Sequence, residues 1–161
     1  MRVSFLARPS VLWIAFVSTV LLTGAFAVAS AHWGIAFIDA LSDPSQVREA
    51  IAGFTPEQRV THAWITGTLD VAYPLAYGAL FVGSAYAFYG RMGPYLAAVL
   101  AVAVPTDLLE GVVQILALTN TVDWVDAKAL LTPLKMGLVY LGLLTTVLGW
   151  AIWLLGRLRN R

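Results

Sequence analysis

Apolar residues are gathered into four long runs, and each run is long enough for the roughly 20 residues that a transmembrane helix needs. The runs cover residues of about 10–31, 62–89, 94–118 and 127–155. Short polar segments separate them, and nothing between them is long enough to form a soluble domain. The pattern predicts an all-α integral membrane protein, a four-transmembrane-helix bundle that forms a single membrane domain over residues 1–161.

The connection after the first run contains its own helix signal over residues 43–54. Asp43 is suited to cap a helix that begins at Pro44. Three apolar residues then recur at helical spacing, namely Val47, Ile51 and Phe54. This pattern predicts a short amphipathic helix in the first extracytoplasmic loop, lying on the membrane surface. Thr55 and Gln58 form a capping-box pattern, which predicts a second helix start that leads without a break into the second run.

Composition supports the membrane assignment and excludes several classes of site. Hydrophobic residues make up 60% of the chain and charged residues 12%, against about 25% charged in soluble domains. Cysteine is absent and there are only two histidines, so thiolate chemistry and the common zinc sites are excluded. The net charge of +1 and the lack of a basic cluster predict no nucleic-acid partner. We expect neither a metal nor another cofactor.

The distribution of Lys and Arg predicts the orientation of the bundle. One side would carry Arg2, Arg8, Arg91, Arg157, Arg159 and Arg161, and the other Arg48, Arg59 and Lys128 together with six acidic residues. The first side is the more basic, so we expect a cell-membrane protein with both termini cytoplasmic and a cytoplasmic tail at 156–161.

The first apolar run also fits a second interpretation. Basic residues precede it, and it ends in the small residues Ala29, Ser30 and Ala31. That arrangement is typical of a secretory signal cleaved at about 29–31, which would leave three helices. The run is longer than the usual 7–15 apolar residues of a signal, which favours a retained first helix.

Ionisable residues lie inside three of the runs. Asp107, Glu110 and Gln114 share one face of the third helix, because a helix turns once in about 3.6 residues. Asp70 lies in the second run and Lys135 in the fourth. A charge at mid-membrane costs roughly 2.5–3.5 kcal/mol on insertion scales, so these side chains are expected to face one another. In the predicted topology all four ionisable groups fall in the outer half of the bilayer, with net charge −2 if ionised.

Asp70, Asp107, Glu110 and Lys135 are therefore the candidate catalytic residues, because burial and repulsion between carboxyl groups suit them to proton transfer. Polar and aromatic residues on the same faces are candidate ligand-binding residues: Gln114, Tyr73, Tyr77, His62, Thr106 and Thr132. Purely structural roles are open for each set. A buried Lys–carboxylate pair can fix helix register, the tyrosines can pack, and the threonines can bond to their own helix backbone.

Three functions fit these features. The first is binding or acid–base processing, such as isomerisation or cyclisation, of an amphipathic lipid or isoprenoid-like molecule in a pocket open to the outer leaflet. The second is a structural or assembly subunit whose polar stripe pairs with another chain, either a membrane partner or a second copy. The third is proton or cation transport along the acids. The thinning of polar residues towards the cytoplasmic side favours the first.

Overall fold

The computed structural model describes residues 5–159, and its regular elements there are all helical. The helices are α1 (Pro9–Trp33), α2 (Pro44–Gly53), α3 (Pro56–Phe88), α4 (Gly93–Ala101), α5 (Ala103–Leu118) and α6 (Lys128–Arg159). Single 3-10 turns lie at Phe5–Ala7, Gly90–Met92 and Val125–Ala127. Four segments are long and apolar enough to cross a membrane: Pro9–Trp33, Pro56–Phe88, Gly90–Leu118 and Val125–Arg159. The coarse prediction of an all-helical protein with four apolar spans is thus confirmed.

Helix α3 is the centre of the bundle, and α1, α4, α5 and α6 all pack against it. It starts at the predicted capping box, in which Thr55 Oγ1 accepts from the Gln58 backbone N–H at 3.2 Å and Gln58 Oε1 accepts from the Thr55 N–H at 3.0 Å. The helix continues through Pro74. Proline has no N–H, so the carbonyl of Asp70 lacks its helical donor.

The third span is two helices rather than the single helix predicted over 94–118. Helix α4 ends at Ala101 and α5 begins at Ala103, with Val102 between them. Pro105 explains the interruption, because it cannot donate to the carbonyl of Ala101. At the break the Val102 N–H bonds instead to the Val99 carbonyl at 3.2 Å, a tighter turn than an α-helical one.

The other predicted boundaries differ from the structure by a few residues. Asp123 Oδ1 accepts from the Val125 N–H at 3.1 Å, and it thereby caps the turn that leads into α6. Helix α6 continues to Arg159, so most of the tail predicted at 156–161 is helical. Arg2 and Arg161, which contribute to the predicted charge asymmetry, lie outside the described residues.

Helix α2 forms where it was predicted, with Asp43 as its N-cap accepting from the Ser45 N–H at 2.8 Å. Its apolar face does not lie free for a membrane surface, however. Val47 and Ile51 are buried in a cluster with Ile38, Leu118 and Val125. The prediction of a helix lying on the membrane surface is corrected accordingly. The apolar face of α2 packs against one end of the bundle, and the helix covers that end.

Close packing joins α6 to α3 on the opposite half of the bundle. Gly142 lies against the ring of Phe81, and one heptad later Gly149 lies against Phe88. A Cβ built on Gly149 would lie 2.7 Å from Phe88 Cδ2, closer than atoms can approach. The two glycines therefore let aromatic rings of α3 pack directly on the α6 backbone, as small residues do in membrane bundles.

Candidate functional site

Glu110 is the centre of a buried ionic cluster. Its side chain is fully buried, and it forms ion pairs with both Lys128 and Lys135. The hydroxyl of Thr132 also donates to it. These three partners follow one another on α6 at intervals of four and three residues, so they share the helix face turned to α5.

Asp107 lies one turn before Glu110 on α5 and extends the cluster. The Tyr77 hydroxyl donates to Asp107 Oδ2 at 2.8 Å, in a buried contact. Lys135 Nζ lies 3.1 Å from the other oxygen, Asp107 Oδ1. Lys135 therefore bridges Asp107 and Glu110, and the two lysines together balance the charge of these two carboxylates.

A cavity of about 290 Å³ lies beside this cluster and reaches the protein surface. Helices α1, α3, α5 and α6 contribute to its wall, together with the segment between α1 and α2. The lining residues are Phe26, Phe37, Asp39, Asp70, Tyr73, Tyr77, Asp107, Lys135, Met136 and Val139. One part of the wall is therefore charged and the rest is aromatic or aliphatic, a composition typical of a ligand site.

Asp70 differs from Asp107 and Glu110 in having no partner among the described residues. It is only 8% exposed, it lines the cavity, and no side chain or backbone group among residues 5–159 forms a hydrogen bond or ion pair with it. Gly111 of α5 lies beside it, and a Cβ there would lie 3.6 Å from Asp70 Oδ2. The absence of a side chain at Gly111 thus brings α5 close to this carboxyl without covering it.

Two charged members of the site, Lys128 and Asp39, were counted at the sequence level only among the charges of the outer side and were not predicted as site residues. Lys128 is completely buried on Glu110. Asp39 lines the cavity, and its Oδ1 accepts from Gln114 Nε2 at 3.1 Å. The site accordingly contains four carboxylates and two ammonium groups, and the net charge of the fully ionised cluster stays at −2.

The remaining predicted residues fall into two groups. Tyr73 forms part of the cavity wall, with its hydroxyl 3.3 Å from Thr23 Oγ1. His62 and Gln114 are buried near the cavity without lining it, and His62 packs between the rings of Phe37 and Phe54, 5.3 and 5.5 Å away. Neither ring nitrogen of His62 has a partner among the described residues.

The threonines behave differently from one another. Thr106 Oγ1 donates to the Val102 carbonyl at 2.8 Å, one helical turn earlier in the chain. This is the bond to the local backbone that the structural interpretation predicted. Thr132 does not bond to its own helix, because its hydroxyl reaches Glu110 on α5. The expectation that Thr132 satisfies its own backbone was therefore wrong, and it belongs to the ionic cluster.

Two separate ion pairs fix the position of helix α2, which covers one end of the bundle. Arg48 of α2 lies 2.8 Å from Asp123 Oδ2 and 3.1 Å from Asp126 Oδ1, both in the segment between α5 and α6. The guanidinium holds the pKa of the Asp123 carboxyl below its ordinary value, and the two acids raise the pKa of Arg48. Because these groups are exposed, their ion pairs fix the position of α2 but contribute little to the free energy of unfolding.

No protein-family model matches the chain, and neither a curated protein nor a solved structure shows significant similarity to it.

Proposed function

We propose that this protein binds an amphipathic lipid or isoprenoid-like molecule in the cavity between α1, α3 and α6. The observation that carries the proposal is the unpartnered carboxyl of Asp70 in the wall of a partly open cavity that is also lined by four aromatic rings. Its volume of about 290 Å³ is close to the lower limit of ordinary ligand sites. It would hold a polar head group and the start of a chain, and the rest of the chain would lie in the bilayer.

The proposed topology places this site in the outer half of the cell membrane, with both termini cytoplasmic. The positive-inside distribution of Lys and Arg supports that orientation. In it, α2 and the segment before it cover the site from the extracytoplasmic side, and the ligand enters from the lipid.

Acid–base processing of the ligand is the extension of this proposal. Asp70 is free to exchange a proton with a bound molecule, because no other group competes for it. Tyr77 and Asp107 share a hydrogen bond at the same wall and supply a second donor and acceptor. Isomerisation or cyclisation of an isoprenoid-like ligand needs one group that donates a proton and one that accepts a proton near the reacting atoms.

The packing favours this function over transport. A proton or cation crossing the bundle would have to pass the apolar cluster that contains Leu80, Phe81 and Leu100, which lies beyond Tyr77. That barrier leaves the charged site open at one side only, which suits binding or chemistry.

Internal charge pairing favours it over a purely structural subunit. Both buried lysines are neutralised by carboxylates of the same chain. An ionic contact with a partner chain is therefore not needed to insert them, although association of copies through other surfaces is compatible with the proposal.

Native mass spectrometry of the full chain after gentle extraction tests the proposal. Val139→Trp should fill the cavity, because Val139 forms part of its wall. The matched control is Leu143→Trp, one turn away on α6 at an exposed position. We expect a co-purifying lipid on the wild type and on the control, and its loss from Val139→Trp. Equal lipid on all three proteins, or none on the wild type, would contradict the proposal.

A further inference from the structure

Two of the carboxyls in the site form ion pairs with lysines, and the other two have no cationic partner among the described residues. The cavity therefore lacks a positive charge to match these two. Lys128 and Lys135 neutralise Asp107 and Glu110, with which they form ion pairs. No cation among the described residues is paired with Asp39 or Asp70. These two carboxyls account for the net charge of −2, and both line the cavity.

Among the four carboxyls of the site, Asp70 and Asp39 are the two that contact no charged group of the described residues. Asp70 is more than nine-tenths buried and has no partner in residues 5–159. Asp39 accepts one bond from the neutral amide of Gln114. A buried carboxylate without a counter-charge is costly, and Asp70 is buried whereas Asp39 is half-buried. A ligand that supplied a positive charge would therefore remove a penalty at Asp70 as well as contact both acids.

The aromatic part of the wall points to the same kind of ligand. Phe26 packs edge to face against both Phe37 and Tyr73, with ring centres 5.4 and 5.7 Å away. All three rings line the cavity. The faces of aromatic rings attract organic cations, and the attraction grows when water is excluded. Two separate features, carboxyls without a counter-charge and aromatic rings, thus occur around one cavity.

An organic cation fits this wall better than a metal ion. Within residues 5–159, no three His, Asp or Glu side chains are grouped as ligands for a metal. Met136 and Val139 complete the wall with hydrocarbon, which would contact a carbon chain. Lys135 also reaches the cavity, but its charge is already balanced by Asp107 and Glu110.

We propose that the cavity is specific for an amphiphile with an organic ammonium head group, held between Asp39 and Asp70 with its first carbons against the aromatic wall. This inference rests on the proposed function and specifies its ligand class. The head group could belong to an aminolipid of the membrane or to a free long-chain amine, since both present the same chemistry.

The test compares two probes that differ only in charge. Decyltrimethylammonium and its neutral carbon isostere, in which a quaternary carbon replaces the nitrogen, are titrated into the full chain in an uncharged maltoside detergent. Binding is followed by the shift in thermal unfolding. We expect the wild type to bind the cation at least about tenfold more tightly than the isostere, as a desolvated cation–π contact and an unpaired carboxylate would provide.

Substitutions of the two acids show which carboxyl is responsible for the preference for the cation. Asp70→Asn should remove most of the preference for the cation and leave binding of the isostere unchanged, and Asp39→Asn should do so in part. Glu57→Gln is the control, because that acid is exposed and outside the cavity. Unfolding of each unliganded variant shows that it is folded. Native mass spectrometry of the wild type then distinguishes the source, since the mass of the co-purifying molecule differs between a membrane aminolipid and a free long-chain amine.

Each outcome has a separate meaning. If both probes bind equally and Val139→Trp abolishes both, the ammonium preference is overturned while the proposed lipid site stands. If the cation binds preferentially but Asp70→Asn and Asp39→Asn retain that preference, the assignment to these two acids is overturned. If Val139→Trp leaves binding of both probes unchanged, the cavity is not the site, and the proposed function fails with the inference.

Discussion

At the scale of single residues, the carboxyls of the site have opposite roles in spite of their similar burial. Glu110 receives two ammonium groups and a hydroxyl. Asp70, on the neighbouring helix, receives nothing from the described part of the chain. Glu110 therefore joins α5 to α6, whereas Asp70 is the carboxyl, unpaired within residues 5–159, that would contact the ligand in the proposed site.

This division predicts contrasting effects of two isosteric substitutions. Glu110→Gln leaves Lys128 buried without a counter-charge, so we expect it to lower the free energy of unfolding by about 3–5 kcal/mol. Asp70→Asn removes a carboxyl that has no partner, so stability should be unchanged or higher. Thermal and denaturant unfolding of the purified proteins in detergent measures both effects.

Adding Lys128→Met to Glu110→Gln provides a check on the cause. The double variant removes the stranded ammonium and should regain part of the lost stability, which a double-mutant cycle would report as coupling between the two positions. Equal destabilisation by Asp70→Asn and Glu110→Gln would contradict the division of roles.

At the scale of elements, glycine positions on α6 decide how closely it packs against α3. Gly142 and Gly149 face aromatic rings of α3, whereas a Cβ on Gly137 would meet no atom within 4 Å. The three glycines share a helix and a residue type but differ in their surroundings, which makes Gly137 a control for the other two.

Substitution by leucine should therefore separate them. Gly142→Leu would force α6 away from Phe81, and we expect a loss of at least about 1–3 kcal/mol, the usual cost of overpacking. Gly137→Leu should be tolerated. Thermal unfolding in detergent is the measurement. Helix propensity favours Leu over Gly at both positions, so equal losses would contradict the role of close packing at Gly142.

Much of the element-level architecture could be predicted from the sequence, and the rest depends on tertiary contacts. Hydropathy located the four spans, and Asp43 and Thr55 located helix starts, because both signals are local. The break at Val102 was not predicted, since a proline in a membrane helix can be accommodated with or without one. Lys128 was missed because it lies at the end of an apolar run, although its spacing to Thr132 and Lys135 places all three on one face. Asp39 has no periodic neighbours, and only the folded chain brings it to the cavity.

At the scale of the whole molecule, the charged cluster lies between two apolar layers. On one side, α2 and the cluster around Ile38 and Leu118 cover it. On the other, the cluster around Leu80, Phe81 and Leu100 closes the bundle. The cavity lies beside the charged cluster, between these two layers, and reaches the protein surface.

The proposed orientation of this layered bundle can be tested by labelling, because the chain has no cysteine of its own. Thr121→Cys and Met92→Cys introduce single thiols at exposed positions in opposite connections. An impermeant maleimide added to intact cells should label Thr121→Cys only, and Met92→Cys should react only after the membrane is opened. The reverse pattern would invert the topology and would place the site in the inner leaflet.

The ion pairs between α5 and α6 also bear on how the chain is made. Each acid or lysine that enters a bilayer alone costs roughly 2.5–3.5 kcal/mol on translocon scales. Helices α5 and α6 are consecutive in the chain, and two acids of α5, Asp107 and Glu110, neutralise Lys128 and Lys135 of α6. The last two spans can therefore leave the translocon as one helical hairpin in which most of the charge is already paired. Asp70 lies in α3, which is synthesised earlier, and it meets the other charged residues only when that hairpin packs against α3.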